Sequence, residues 1–407
     1  MKNSFLFLPG LLFFLTHNLP AQDLDVKKLK SEVQHRIDTY LDKEKKLTPF
    51  YEVNDYGMMV YASAEKKLKK EPDLKIAWSS LAAASPKTGS DQIRNQALPL
   101  EGIRIALDPG HTAGDMDCGK IEQKYLQIPK DSLHHIPQEF DLVEGHLTLG
   151  VALTLKKKLE NAGAIVMLTH HKPDETACGT TFEEWKKTEL NQILDSLVLC
   201  KKITAQQRLF YKTKADNRKI FRDIFRDIEL QKRADLINAF HPDIAVIIHF
   251  NVDEKNTDWK KFTDKDFVMT FIGGGMLPSD LKRPEERIEF LRMATTDDLD
   301  KSEKLSGVVV KSFSSVLKVP IASRTQANYL RDNCLSTPTP GVYCRNLILT
   351  RIVHTPLVYG ETLYQDNRDE CRKLMLEDEE IDGVKTSARV REVGEAYYQG
   401  ILTYFSK

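Results

Sequence analysis

The chain has 407 residues, enough for a sizeable core and two or three structural units. Its 59 Lys+Arg balance 59 Asp+Glu, which excludes the basic excess of a general nucleic-acid binder. The apolar and charged fractions, 41% and 29%, are those of an ordinary soluble protein.

The first residues depart from that average. Lys2 precedes an apolar run from Ser4 to Leu15, broken by Pro9-Gly10, and a short polar stretch ends in Leu19-Pro20-Ala21-Gln22. The run is too short to span a bilayer. A basic start, an apolar middle and a small residue at a cut describe a secretory signal peptide over residues 1–21, cleaved after Ala21. The protein is then expected to be exported, to the periplasm or cell envelope, with no membrane anchor after cleavage. An uncleaved anchor is the alternative. No Cys follows the run closely, which argues against a lipoprotein.

Residues 22–97 read as a charged leader and linker. Leu29, Val33, Ile37 and Leu41 recur every four residues and predict a helix. Residues 51–53 and 58–62 read as short strands, and residues 83–99, rich in Ala, Ser, Gln, Asn and Pro, as a linker. No binding-module pattern is present, so this leader is expected to pack on the main domain.

From residue 98 to residue 407 the pattern changes. Residues 103–107, 164–169, 244–249, 266–272, 346–350 and 356–359 read as strands. Residues 144–161, 302–317 and 386–404 read as helices, and residues 183–239 as largely helical and highly charged. Alternating strands and helices predict an α/β domain with a mostly parallel sheet. Six cysteines are present, with no CxxC or CxxxC pair, so a thiolate zinc site is not expected. Cys334 and Cys344 flank a turn-rich segment; a disulfide clipping that loop and two free buried thiols are the alternatives.

In open α/β sheets the functional site lies at the carboxyl ends of the strands. His111 follows the first strand through Asp108-Pro109-Gly110, and His249 closes the strand at 244–249. One such His is more often structural. Two, on separate strands of one sheet, raise a metal reading, because imidazole nitrogen suits Zn²⁺. A catalytic zinc needs a third protein ligand. Glu144 opens an amphipathic helix and can point back at the strand ends, with His146 as a competitor and a solvated helix-start Glu as the plain alternative. Hydrolysis also needs a proton acceptor, and Glu361, just past the strand at 356–359, fits that role.

Together these segments resemble the zinc N-acetylmuramoyl-L-alanine amidases. The resemblance rests on Leu107-Asp-Pro-Gly-His111, on Glu144 and the helix ending Leu159-Glu-Asn-Ala-Gly-Ala164, and on Val166-Met-Leu-Thr169. It continues through Leu230-Gln-Lys-Arg233 and Asn238 into Ile247-Ile-His-Phe-Asn251, and through Pro356-Leu-Val-Tyr-Gly-Glu361 to Asn367. It covers about residues 100–405. It implies His111, Glu144 and His249 as ligands of one zinc ion and Glu361 as the catalytic carboxylate. The implied fold is a single three-layer domain with about six strands, helices on both faces and the metal at one edge of the sheet. The implied reaction is hydrolysis of the amide between N-acetylmuramic acid and L-alanine in peptidoglycan.

The chain departs from the family at Thr112-Ala-Gly-Asp115, where a second glycine is usual, and at Gly360, where a hydrophobic residue is usual. A long polar stretch holding Cys118, His134 and His135 precedes Glu144. The largest departure is an insertion at about 172–225. It reads either as an extra helical hairpin packed on the sheet or as a lid over the zinc that an activator protein relieves. Residues 256–300 are long and charged, placed to rim a substrate groove. Two other functions share the same residues or fold: a zinc peptidase or deacylase acting on another amide, and an inactive wall-binding regulatory protein.

Overall fold

The computed structural model describes residues 26–84 and 97–406. The expected signal peptide and most of the expected linker lie outside the described residues. The main domain is built on seven strands: β1 (Arg104–Pro109), β2 (Ile165–Leu168), β3 (Ile244–Asn251), β4 (Met269–Ile272), β5 (Leu335–Ser336), β6 (Val342–Cys344) and β7 (Leu357–Tyr364). Their order is β5-β6-β4-β7-β3-β1-β2. β7, β3, β1 and β2 run parallel. β4 joins β7 antiparallel, β6 lies parallel to β4, and β5 turns back along β6. The sheet is thus mostly parallel, with one strand more than the expected six or so.

Both faces are covered, which is why β3 is buried at every position and reads as an almost unbroken apolar run. On one face Ile105, Leu107, Val246, Ile248 and Val358 share a core with the helices Glu144–Asn161, Asp298–Leu317 and Ala388–Phe405. On the other, Ala106, Ala245, Ile247 and Leu357 pack with Ala234 and Ile237 of the helix Arg226–Phe240. This is the three-layer α/β arrangement expected.

The leader packs on the domain, as expected. Val33, Ile37, Met58, Val60 and Trp78 join the same core as Phe290 and Met293 of the helix Pro284–Thr295. Arg36 donates to Asp300 at 2.6 Å across that contact. The two strands foreseen there pair antiparallel, and a third, Leu74–Ala77, completes the small sheet.

Two expectations need correction, and one open alternative is decided. Residues 346–350 are not a strand; Ile348–Ile352 is a helix, its start held by the Leu347 N–H donating to the Thr350 hydroxyl. A short apolar run does not distinguish the two by period alone. The last strand does not stop at residue 359, and Glu361 lies inside it. Gly360 does not end β7: a Cβ there would stand 2.0 Å from the Tyr397 hydroxyl, so the missing side chain lets the C-terminal helix approach. Cys334 and Cys344 are not bridged. Cys344 belongs to the main core and Cys334 to a separate cluster with Phe271 and Tyr343.

Candidate metal centre

Strand register brings the expected residues together. His249 on β3 is paired with Glu361 on β7. Side chains alternate along a strand, so His249 shares a face with Ala245 and Ile247, and Glu361 shares one with Tyr359 and Leu357. The His249 ring lies flat on Tyr359, centroids 4.6 Å apart and planes 4° apart. β1 delivers His111 beside them; the two imidazoles meet edge to face at 4.9 Å. Gly110 makes this contact possible, because a Cβ there would come within 2.3 Å of the His249 ring.

Glu144 is buried at the start of its helix. Its Oε1 lies 3.1 Å from His249 Nδ1, and its Oε2 lies 3.5 Å from His111 Nε2. One donor atom from each of His111, Glu144 and His249 falls within 4.8 Å of the others. His111 Nε2 is buried with no hydrogen-bond partner among the described residues. An orphaned imidazole nitrogen beside a second imidazole and a carboxylate is the donor set that Zn²⁺ takes. The competitors do not join. His146 Nε2 donates to the Lys385 carbonyl at 2.8 Å, and His134 pairs with Asp131 at 2.6 Å on the surface.

Further residues hold this arrangement: Arg233, from a segment that carries the family resemblance, and Glu122, which sequence reasoning did not single out. His111 adopts a left-handed φ of 66°, which costs a non-glycine residue about 1–2 kcal/mol. Buried Arg233 secures that turn, donating to the Pro109 carbonyl at 2.5 Å and to the His111 carbonyl at 2.9 Å. The same guanidinium meets Asp108 at 3.1 Å and Glu229 at 2.6 Å. Glu122 lies 3.3 Å from His111 Nδ1 and accepts the Thr112 N–H at 3.0 Å. A carboxylate behind the far nitrogen of an imidazole fixes its tautomer and raises its basicity. Glu122 ends the helix Met116–Glu122 inside the long polar stretch; nothing in its spacing distinguished it from the charges around it. Glu144 is held in turn by the Phe250 N–H at 3.2 Å and by Gln365 Nε2 at 3.3 Å.

The electrostatics divide the four groups. Burial raises Glu361, and neighbouring Glu144 raises it further, to about 8, although Arg345 and Lys124 oppose the shift. Glu144 is also desolvated, but His111 and Lys124 hold it well below the usual carboxylate range. Burial lowers His249 to about 4. His111 goes the other way: burial works against its charge, but Glu144 and Glu122 lift it to about 9. One carboxylate is therefore held ionised among the donor atoms, and the other keeps affinity for a proton near neutral pH.

The four residues open into a cavity of about 870 Å³. Asn256, Thr257 and Trp259 form part of its rim, as expected of that charged segment. Lys124 stands over the Trp259 ring at 5.7 Å. The insertion contributes Phe221 and Arg222 to one wall. It is more than a hairpin: its helices Phe182–Thr188, Leu190–Leu199, Ala205–Thr213 and Asn217–Ile220 enclose a core of their own, centred on Phe182, Trp185, Leu194 and Phe225.

Paired imidazoles and a carboxylate as donors, with a second carboxylate of raised proton affinity beside them, are the equipment of a metal-assisted hydrolase. A family model for N-acetylmuramoyl-L-alanine amidases matches residues 105–401, and the chain belongs to that family. Its enzyme class is thereby N-acetylmuramoyl-L-alanine amidase. Among solved structures it is similar to the CwlD amidase of Clostridioides difficile, determined in complex with the GerS lipoprotein, at 18% identity and a TM-score of 0.41, over 75% of this chain and 99% of that one. It is also similar to the N-acetylmuramyl-L-alanine amidase Ami1 of Mycobacterium smegmatis, at 14% identity and a TM-score of 0.41, over 75% and 98% of the two chains. No curated protein matches the chain.

Proposed function

We propose that the protein is an exported zinc enzyme that hydrolyses the amide between N-acetylmuramic acid and L-alanine in peptidoglycan. The observation that carries the reading is the convergence of His111, Glu144 and His249 within 4.8 Å, beside Glu361 in register with His249. The catalytic unit spans residues 98–407, behind a signal peptide at 1–21 and a leader at 22–97. His111, Glu144 and His249 hold one zinc ion. When bound, zinc lowers the pKa of water and polarises a carbonyl.

The chain's own residues do the rest. Arg233 and Glu122 fix the His111 turn and ring. Glu144 stays ionised between the two imidazoles. Glu361 takes the proton of the attacking water and passes it to the alanine nitrogen as that amine leaves. Its proton affinity suits both steps, since a group poised near neutral pH can accept and then donate. Phe221, Arg222 and Trp259 wall the cavity around the scissile bond. Among the described residues no helix is long and apolar enough to cross a membrane.

The test is digestion of purified peptidoglycan with identification of the released stems. Wild type should release peptides that begin with alanine. Glu361→Ala should retain zinc and lose about 10³-fold in rate, whereas His249→Ala should lose both zinc and activity. Glycan breaks alone, or cuts confined to peptide cross-links, would sink the reading and favour another hydrolase. No digestion by zinc-loaded wild type would favour a wall-binding protein.

A further inference from the structure

The cavity has a second charged end that the reaction as described does not use. Arg345 follows β6 and lines the same cavity as Glu361. Cys344 pairs with Ile272 and Phe271 with Tyr359, so Arg345 sits at the level of Leu357, before Glu361 along β7. Its guanidinium lies against two neighbouring rings, 5.1 Å from the centroid of Phe271 and 5.1 Å from that of Tyr329. Both rings are fixed: Phe271 is buried in β4, and the Tyr329 hydroxyl accepts from Asn251 at 3.0 Å.

The guanidinium makes no hydrogen bond or ion pair with any described residue. Several of the chain's other buried or half-buried arginines are held by carboxylates: Arg36, Arg233, Arg292, Arg351 and Arg389 each meet one at 3.0 Å or less. Arg368, against the Phe262 ring, is unpaired like Arg345 among the described residues, but of the two only Arg345 lines the cavity. A planar fork of N–H donors, held against aromatic rings and hydrogen-bonded to no carboxylate, is built to take one in two-pronged fashion.

We propose that Arg345 binds a free carboxylate of the stem peptide on the leaving-group side of the scissile amide, and so selects substrates by the charge state of that peptide. The inference rests on the amidase reading above. The sugar polymer needs an open path across the cavity mouth, near Trp259 and Lys124. Stem residues after the alanine carry carboxylates that occur free or amidated. With the amidated form, Arg345 would face a neutral partner and lose a charge-assisted bond.

The test uses a matched pair of muramoyl stem peptides, with the carboxylate of the second stem residue either free or amidated. Binding of the corresponding released peptides to the metal-free protein is measured by calorimetry, alongside cleavage by the zinc-loaded enzyme. Wild type should bind the free form about 10-fold or more tightly than the amidated form, the worth of a hydrogen bond between charged groups, and should show the same preference in KM. Arg345→Gln should bring both ratios close to one, and Arg345→Lys should keep part of the preference. Circular dichroism and retained zinc binding show that the variants are folded, and Arg208→Gln, at the surface of the insertion and outside the cavity, should keep the wild-type ratio. Equal binding of the two peptides by wild type overturns the proposal. So does an Arg345→Gln enzyme whose kcat falls while its preference stays. If wild type shows the binding preference but never cleaves the muramoyl amide, the amidase reading fails and the carboxylate site stands.

Discussion

The metal centre and the insertion behind it are held in opposite ways. Around His111, Glu144 and His249 the charged groups are buried and paired: Arg233 with Asp108 and Glu229, Glu144 with Phe250 and Gln365, Thr112 with Glu122. The insertion has its small aromatic core, but its ion pairs, such as Lys219 with Asp223 or Arg208 with Asp195, lie at the surface. Buried pairs are costly to break, and exposed ones contribute little. The comparison teaches where the fold spends its constraint. Positions that must be correct to a fraction of an ångström are set by strand register and desolvated charge. The insertion relies instead on a small aromatic core and exposed ion pairs.

One arginine from each region tests that contrast most strongly. Arg233→Ala leaves Asp108 and Glu229 buried without their counter-charge, so stability in urea or heat should fall by about 3–5 kcal/mol. A loss below about 1 kcal/mol would show that the centre is no more constrained than the surface. Glu122→Gln is milder. It keeps the shape but weakens the hold on His111 Nδ1, and zinc affinity by competition with a chelator should drop about 10–100-fold. An unchanged affinity would assign Glu122 to the Thr112 turn alone.

A third test reads the charge of Glu361 itself in the metal-free protein. Its folded pKa, about 8, lies above the ordinary 4.5. The carboxyl's contribution to stability is therefore fully present below about pH 4.5 and is lost as pH rises through 8. Glu361→Gln cannot ionise and escapes that loss. The Tm of the variant minus that of wild type should increase between pH 5 and pH 9, and a flat difference would contradict the burial argument. The smallest effect belongs to the insertion: Arg208→Ala should change stability by less than about 1 kcal/mol. A larger loss there would erase the contrast.

The sequence announced the donors better than their supports. His111 and His249 each stand at the end of their own strand, and Glu144 opens a helix with four-residue apolar spacing, so period and position alone bring them to one sheet end. Glu122 and Arg345 are single charges in irregular stretches. Their meaning comes from contacts across the sheet, which no local pattern encodes. The end of the last strand was misplaced for a related reason: the reading stops at residue 359, yet the strand runs on past Gly360, whose missing side chain is demanded by Tyr397 of the last helix. The helix at Ile348–Ile352 shows the same limit, since four apolar or β-branched residues suit either period until Leu349 finds its place against Ala234 and Ile237.

The central claim is that water, deprotonated by Glu361, attacks the carbonyl of the muramic lactyl group. Digestion of peptidoglycan in ¹⁸O-water, followed by mass spectrometry of both products, tests it most directly. The account predicts one ¹⁸O in the lactyl carboxylate of the sugar product and none in the released stem, whose new terminus is the alanine amine. Label in a peptide carboxylate, or at a sugar anomeric carbon, would contradict it.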